Sequence, residues 1–132
     1  MTENKTNDIR AFAIRYTAAW CSHDAAGVAS FFSPDGSLRD NDGPVMRGRK
    51  AISESAQSFM DTFPDLGLSL DDIVEADGTW SYTWTLEGTH CTTGRHVRIN
   101  GAEKWRIGDD GLVAESIGSF DAEDFTRQVG QS

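Results

Sequence analysis

The sequence predicts an α+β domain in which helices come first and a run of antiparallel strands follows. The first half carries apolar residues at helical spacing, and from about residue 66 the pattern changes to alternation. Glycine-bearing turns, "ADG" at 76–78, "TTG" at 92–94 and "DDG" at 109–111, then divide the alternating region into hairpins. Helices gathered in one block and hairpins in another pack as two layers, the helices on one face of a curved sheet. At 132 residues the chain is long enough to bury one core, and residues 1–132 read as a single domain.

The elements follow in order. A first helix is predicted from about Asp8 to Ser22, with Ile9, Phe12, Ala13, Tyr16, Ala19 and Trp20 on one face and Asn7 or Asp8 as its cap. "SHDAAGVASFF" reads as a tight corner capped by Asp24, then a short helix ending near Phe32. "SPDG" reads as a turn, and Ser37–Arg39 as a short strand. Residues Arg49–Phe63 are helical again, with Ile52, Ala56, Phe59, Met60 and Phe63 on one side and Pro64 as the stop. Leu66, Leu68 and Leu70 alternate, and Ile73 and Val74 either extend that strand or follow a break in it. Thr79–His90 alternates cleanly, with Trp80, Tyr82, Trp84 and Leu86 on one face. Arg95–Ile107 and Leu112–Phe120 complete the sheet, and "DAEDFTRQVG" is a candidate terminal helix.

Composition narrows the function. The net charge of -9 and the pI of about 4.6 repel a phosphate backbone, and Arg47, Arg49 and Lys50 form the only small basic cluster. Nucleic acid is therefore not an expected partner. No apolar run approaches membrane-spanning length, and "MTENKTND" carries no apolar signal region. Cys21 and Cys91 are too few for a disulfide framework and lack metal-type spacing. A cytoplasmic protein with free thiols is the expectation.

One residue breaks the pattern. In the strand at 95–107 the odd positions include Val97, Ile99, Gly101, Trp105 and Ile107, and Glu103 falls among them. An ionised carboxylate on a core face is costly unless paired, so it tends to take up a proton and become a donor. Tyr16 lies on the buried stripe of the first helix, where its hydroxyl needs a partner. Asp40, in "SLRDNDG", either ends a short strand as ordinary turn chemistry or supplies a base. A base and two oxyanion donors form a set suited to abstracting a proton next to a carbonyl.

The stretch "RYTAAWCSHDAAGVASFFSPDGSLRDNDGPVMRGRKAI", followed by "TGRHV" and "WRIGDDGLVAES", resembles the NTF2-like superfamily, which includes ketosteroid isomerases and SnoaL-like polyketide cyclases. The resemblance covers nearly the whole chain. It implies a cone-shaped sheet packed against three helices around a deep apolar pocket, often a homodimer through the sheet. It also implies a small apolar substrate, no cofactor, and isomerase or cyclase-like acid–base chemistry. Tyr16 matches the catalytic tyrosine of the isomerases, Asp40 their proton-shuttling aspartate, and Glu103 their protonated oxyanion-hole acid. That mechanism is the family's known one, in which a carboxylic acid is kept neutral to donate a hydrogen bond. Two departures stand out: Glu103 is one methylene longer than the family's aspartate, and Ile117 and Gly118 stand where cyclase and epoxide-hydrolase relatives often carry Trp and Asp.

Each candidate has a plainer alternative. Tyr16 can be a core tyrosine with a satisfied hydroxyl, Asp40 a turn former, and Glu103 a residue turned to solvent by a bulge near Gly101. Trp20, Phe59, Trp84, Trp105 and Phe120 are candidate substrate-binding walls, or simply core. His23 reads as a corner residue, and His90 with His96 lacks a third ligand, so no metal is expected. The competing function is a non-catalytic ligand-binding or dimerisation module with the same pocket.

Overall fold

The computed structural model describes residues 2–130. Helix α1 spans Thr2–Cys21, and after the corner at His23, where φ is +57°, helix α2 spans Ala25–Ala29. Asp24 caps α2 by accepting a hydrogen bond from the Gly27 amide at 2.9 Å. Strand β1 covers Phe32–Asp40, β2 is the two-residue Met46–Arg47, and helix α3 covers Arg49–Thr62. Four long strands follow the prediction within a residue or so: β3 Gly67–Ala76, β4 Thr79–Thr89, β5 His96–Ile107 and β6 Val113–Phe120. Helix α4, Ala122–Val129, ends the described chain with Asp121 as its cap.

The six strands lie in the order β2-β1-β6-β5-β4-β3. Three expectations are corrected here. "SPDG" is not a turn between elements: it lies inside β1, whose register against β6 jumps from Phe32↔Val113 to Ser37↔Glu115. Six residues of β1, 32–37, thus face three of β6, 113–115, a bulge that bends the strand. A Cβ on Gly36 would lie 2.9 Å from the Val113 carbonyl oxygen, so the bulge closes only on glycine. Next, β1 runs parallel to β6, so the sheet is not wholly antiparallel. Finally, the helices number four among the described residues, not three. Ile73 and Val74 do extend β3, across an irregularity between Leu70 and Asp72.

The alternation of β4 and β5 survives intact. Trp80, Tyr82, Leu86, Val97, Ile99, Glu103 and Trp105 are all buried, while His96, Arg98, Asn100, Lys104 and Arg106 are exposed. The core divides into two clusters. One centres on Tyr16, Phe32, Tyr82 and Trp105; the other on Phe63, Leu66, Leu86, Val97 and Ile99. Trp20 and Trp84 pack against both. Tyr82 stacks on Trp105 with ring centroids 4.8 Å apart, and Tyr16 meets both edge-on at 5.4 and 5.3 Å.

Candidate active site

A small cavity opens at the seam between the two clusters. Its wall is aromatic on several sides, from Trp20, Phe59, Trp84, Phe120 and Phe125, with Leu38, Leu68, Leu86 and Ile99 between them. Its polar residues are Asp40 and Ser55. The free volume is about 60 Å³, far below the roughly 300–1,000 Å³ of pockets that enclose drug-sized ligands. A compact molecule fits, or one end of a longer one; a large fused-ring system needs the wall to move.

Asp40 is the last residue of β1, and the backbone around it is fixed from two sides. Asn41 takes a left-handed φ of +52°, donates its amide to the Gly118 carbonyl at 2.8 Å and accepts the Phe120 amide on its side chain at 3.0 Å. The chain then turns, with the Gly43 amide donating to the Asp40 carbonyl at 2.9 Å. "NDG" is thus a turn that also clamps β1 to β6. Asp40 sits level with Gly118, and a Cβ on that glycine would lie only 2.5 Å from Asp40 Oδ1. The missing side chain at 118 is the space in which the carboxylate rests. Burial raises the Asp40 pKa above the usual aspartate value, with no hydrogen bond or neighbouring cation among the described residues to lower it.

Glu103 lies on the same row of the sheet, since Gly118 pairs with Asp40 on one side and with Glu103 on the other. It is buried, 8% exposed, and faces inward as alternation requires. Three donors surround it: Tyr16 Oη at 3.1 Å from both carboxylate oxygens, Ser116 Oγ at 2.8 Å from Oε1, and Trp105 Nε1 at 3.1 Å from Oε1. Burial pushes its pKa up to about 7. The Trp105 and Ser116 donors pull against burial, the Asp40 charge adds to it, and the Tyr16 hydrogen bond opposes it. Tyr16 itself is fully buried, and burial followed by the Glu103 charge raises its pKa well above the ordinary phenol range. The Trp20 indole N–H lies near enough to lower it somewhat, but lacks hydrogen-bond geometry and has no partner.

The structure therefore brings Tyr16, Asp40 and Glu103 to one region but places only Asp40 on the cavity wall. Tyr16 and Glu103 hydrogen-bond to each other behind it. Of the five candidate walls, Trp20, Phe59, Trp84 and Phe120 line the cavity. Trp105 does not: it is fully buried between Tyr82 and Tyr16, and its N–H is committed to Glu103. Sequence reading missed Ser116, although it falls two residues before Gly118 and so on the same inward face. It also missed Phe125, which α4 brings over the cavity. His96 pairs with Glu87 at 3.1 Å, and the His90 ring accepts the Thr92 and Thr93 amides. No group of three His, Cys, Asp or Glu converges among the described residues, and no described helix is long and apolar enough to cross a membrane.

The raised pKa of Glu103 has a thermodynamic sign. The folded state holds a proton that the unfolded chain loses above pH 4.5, so the group's contribution to stability is full at low pH and is lost as the pH rises through about 7. Urea unfolding from pH 5 to 8 checks this against Glu103→Gln, which cannot titrate. Wild-type stability relative to the variant should fall by on the order of 3 kcal/mol across that range. A constant difference would contradict the assignment.

Comparison with known proteins agrees with the fold. Residues 13–116 match the SnoaL-like domain family. A hypothetical protein with a ketosteroid isomerase-like fold from Catenulispora acidiphila, solved in complex with trimethylamine, superposes with a TM-score of 0.81 at 16% identity, over 90% of this chain and 92% of that one. AclR, a putative hydroxylase from Streptomyces galilaeus, gives 0.79 at 22% identity over 95% and 97%. A putative polyketide cyclase from Xanthomonas campestris gives 0.79 at 20% over 95% and 98%. No curated protein sequence matches. With the match covering most of the chain, and the sheet and helices arranged as in these structures, the protein belongs to the SnoaL-like domain family.

Proposed function

We propose that this protein is an acid–base enzyme that moves a proton next to the carbonyl of a small, apolar, uncharged molecule. The observation that carries this is Asp40: a carboxylate without a hydrogen-bonding partner among the described residues, its pKa raised by burial, on the wall of an aromatic cavity. With no cationic side chain on that wall, an anionic substrate would meet the carboxylate unscreened. In the reaction, Asp40 takes a proton from the carbon beside the carbonyl, and the electron pair passes to the oxygen as an enolate. Returning the proton to a more distant carbon shifts the double bond, which is an isomerisation without a cofactor. Tyr16, backed by Glu103, supplies the donor for the enolate oxygen when that oxygen reaches past Trp20.

Conversion of a small cyclic β,γ-enone to its conjugated isomer, followed by absorbance, tests this. Asp40→Asn should lower the rate about 10²- to 10⁴-fold; an unchanged rate would remove Asp40 from the chemistry.

A second reading, a ligand-binding module without turnover, draws on one observation: Tyr16 and Glu103 satisfy each other behind the cavity wall. It predicts a ligand that copurifies with the protein and no enone conversion by the wild type. In either reading the assembly is a cytoplasmic homodimer through the outer face of the sheet, where Val74 and Ile117 are 51% and 47% exposed. Light scattering in solution should give twice the chain mass, and Ile117→Lys should halve it; a wild-type monomer would contradict the dimer.

A further inference from the structure

The two oxygens of Glu103 are not equivalent. Oε1 lies within reach of Ser116 Oγ, Trp105 Nε1 and Tyr16 Oη, whereas Oε2 has Tyr16 alone. An indole N–H can only donate, so Trp105 obliges Oε1 to remain an acceptor in either proton state. Ser116, 1% exposed and 2.8 Å away, adds a second donor to the same oxygen. A protonated oxygen accepts two donors less well than a carbonyl oxygen does, so a proton taken up by Glu103 favours Oε2, where its neighbour is the Tyr16 hydroxyl. There it donates to Tyr16 Oη, and because both lone pairs of Oε1 are engaged by Ser116 and Trp105, the tyrosine's own hydrogen finds no acceptor on Glu103 and turns away from it. The Trp20 N–H beside it is another pure donor and cannot receive that hydrogen.

We propose that Ser116 and Trp105 are positioning residues that direct the proton of Glu103 to Oε2 and so decide which way Tyr16 donates. With Glu103 ionised, Tyr16 donates inward and is unavailable. With Glu103 neutral, the order reverses, and Tyr16 offers its hydrogen to an oxygen entering from the cavity. The ionisable groups facing Glu103 are Tyr16 from α1, Asp40 from β1 and Tyr82 from β4, with no cation among the described residues, so proton uptake is the means of neutralising it. This inference rests on the proposed enolate chemistry for its consequence, but the proton placement itself can be tested without turnover.

The test is the carboxyl ¹³C titration of Glu103 in the full chain, with the Tyr16 ring carbon bearing the hydroxyl followed in parallel. Ser116→Ala should raise the Glu103 midpoint by about one pH unit, because a donor to the charged form is lost. Ser116→Thr keeps the hydroxyl and should restore it, while Asp40→Asn should lower it by removing a like charge. The Tyr16 signal should move with the same midpoint as Glu103 in every variant. A Ser116→Ala midpoint that stays put or falls would overturn the proposal, as would a Ser116→Thr midpoint that rises equally, which would mark packing as the cause. If Ser116→Ala does not fold, Trp105→Phe removes the other donor and must raise the midpoint instead. If the wild type shows no enone conversion while these shifts appear, the proposed function fails and the proton placement stands.

Discussion

A single carboxyl group buried on the inner face of the sheet organises this protein. Glu103 cannot sit there as an unpaired charge, so the surrounding elements supply donors: Tyr16 from α1, Trp105 from its own strand and Ser116 from β6. Each of these side chains is itself fixed by packing. Tyr16 and Trp105 belong to the aromatic cluster with Tyr82, whose hydroxyl is in turn tied to Thr17. The position of α1 over the sheet is therefore set by hydrogen bonds as well as by apolar contact, and removing Glu103 would leave several buried donors without an acceptor.

The same row of the sheet explains how a second carboxylate can exist nearby. Gly118 separates Glu103 from Asp40 and has no side chain to occupy the space where Asp40 rests. Two acids are thereby held close enough for the Asp40 charge to raise the Glu103 pKa, one in a dry cluster and one on a cavity wall. Placing similar groups in different surroundings is a general way for a fold to keep an acid and a base at one pH. Here burial raises both, but only Glu103 has donors that counter it.

Much of this was legible in the residues, for identifiable reasons. Alternation in 95–107 places Glu103 on the core face because period two leaves no other side for it. The helical stripe places Tyr16 inward for the same kind of reason, and "DG" and "DDG" locate the hairpins because those dipeptides suit the backbone of tight turns. The bulge in β1 was not legible, since "SPDG" has turn composition whether it links two elements or kinks one strand. The parallel pairing of β1 with β6 depends on contacts between distant segments, which local pattern does not encode. Trp105 was misplaced for a related reason: alternation says that a side chain points inward, but not whether it meets a cavity or another ring. Ser116 passed unnoticed because a small polar residue in a strand gives no periodic signal of its own.

All of this depends on Glu103 changing its charge near neutral pH while enclosed by donors. Titration of its side-chain carboxyl carbon in the wild-type protein, assigned by its absence in Glu103→Gln, measures this directly. A midpoint of about 7 is the predicted result. A midpoint at the ordinary glutamate value of about 4.3 would contradict it, because the group would then be permanently ionised at neutral pH and could not act as a donor.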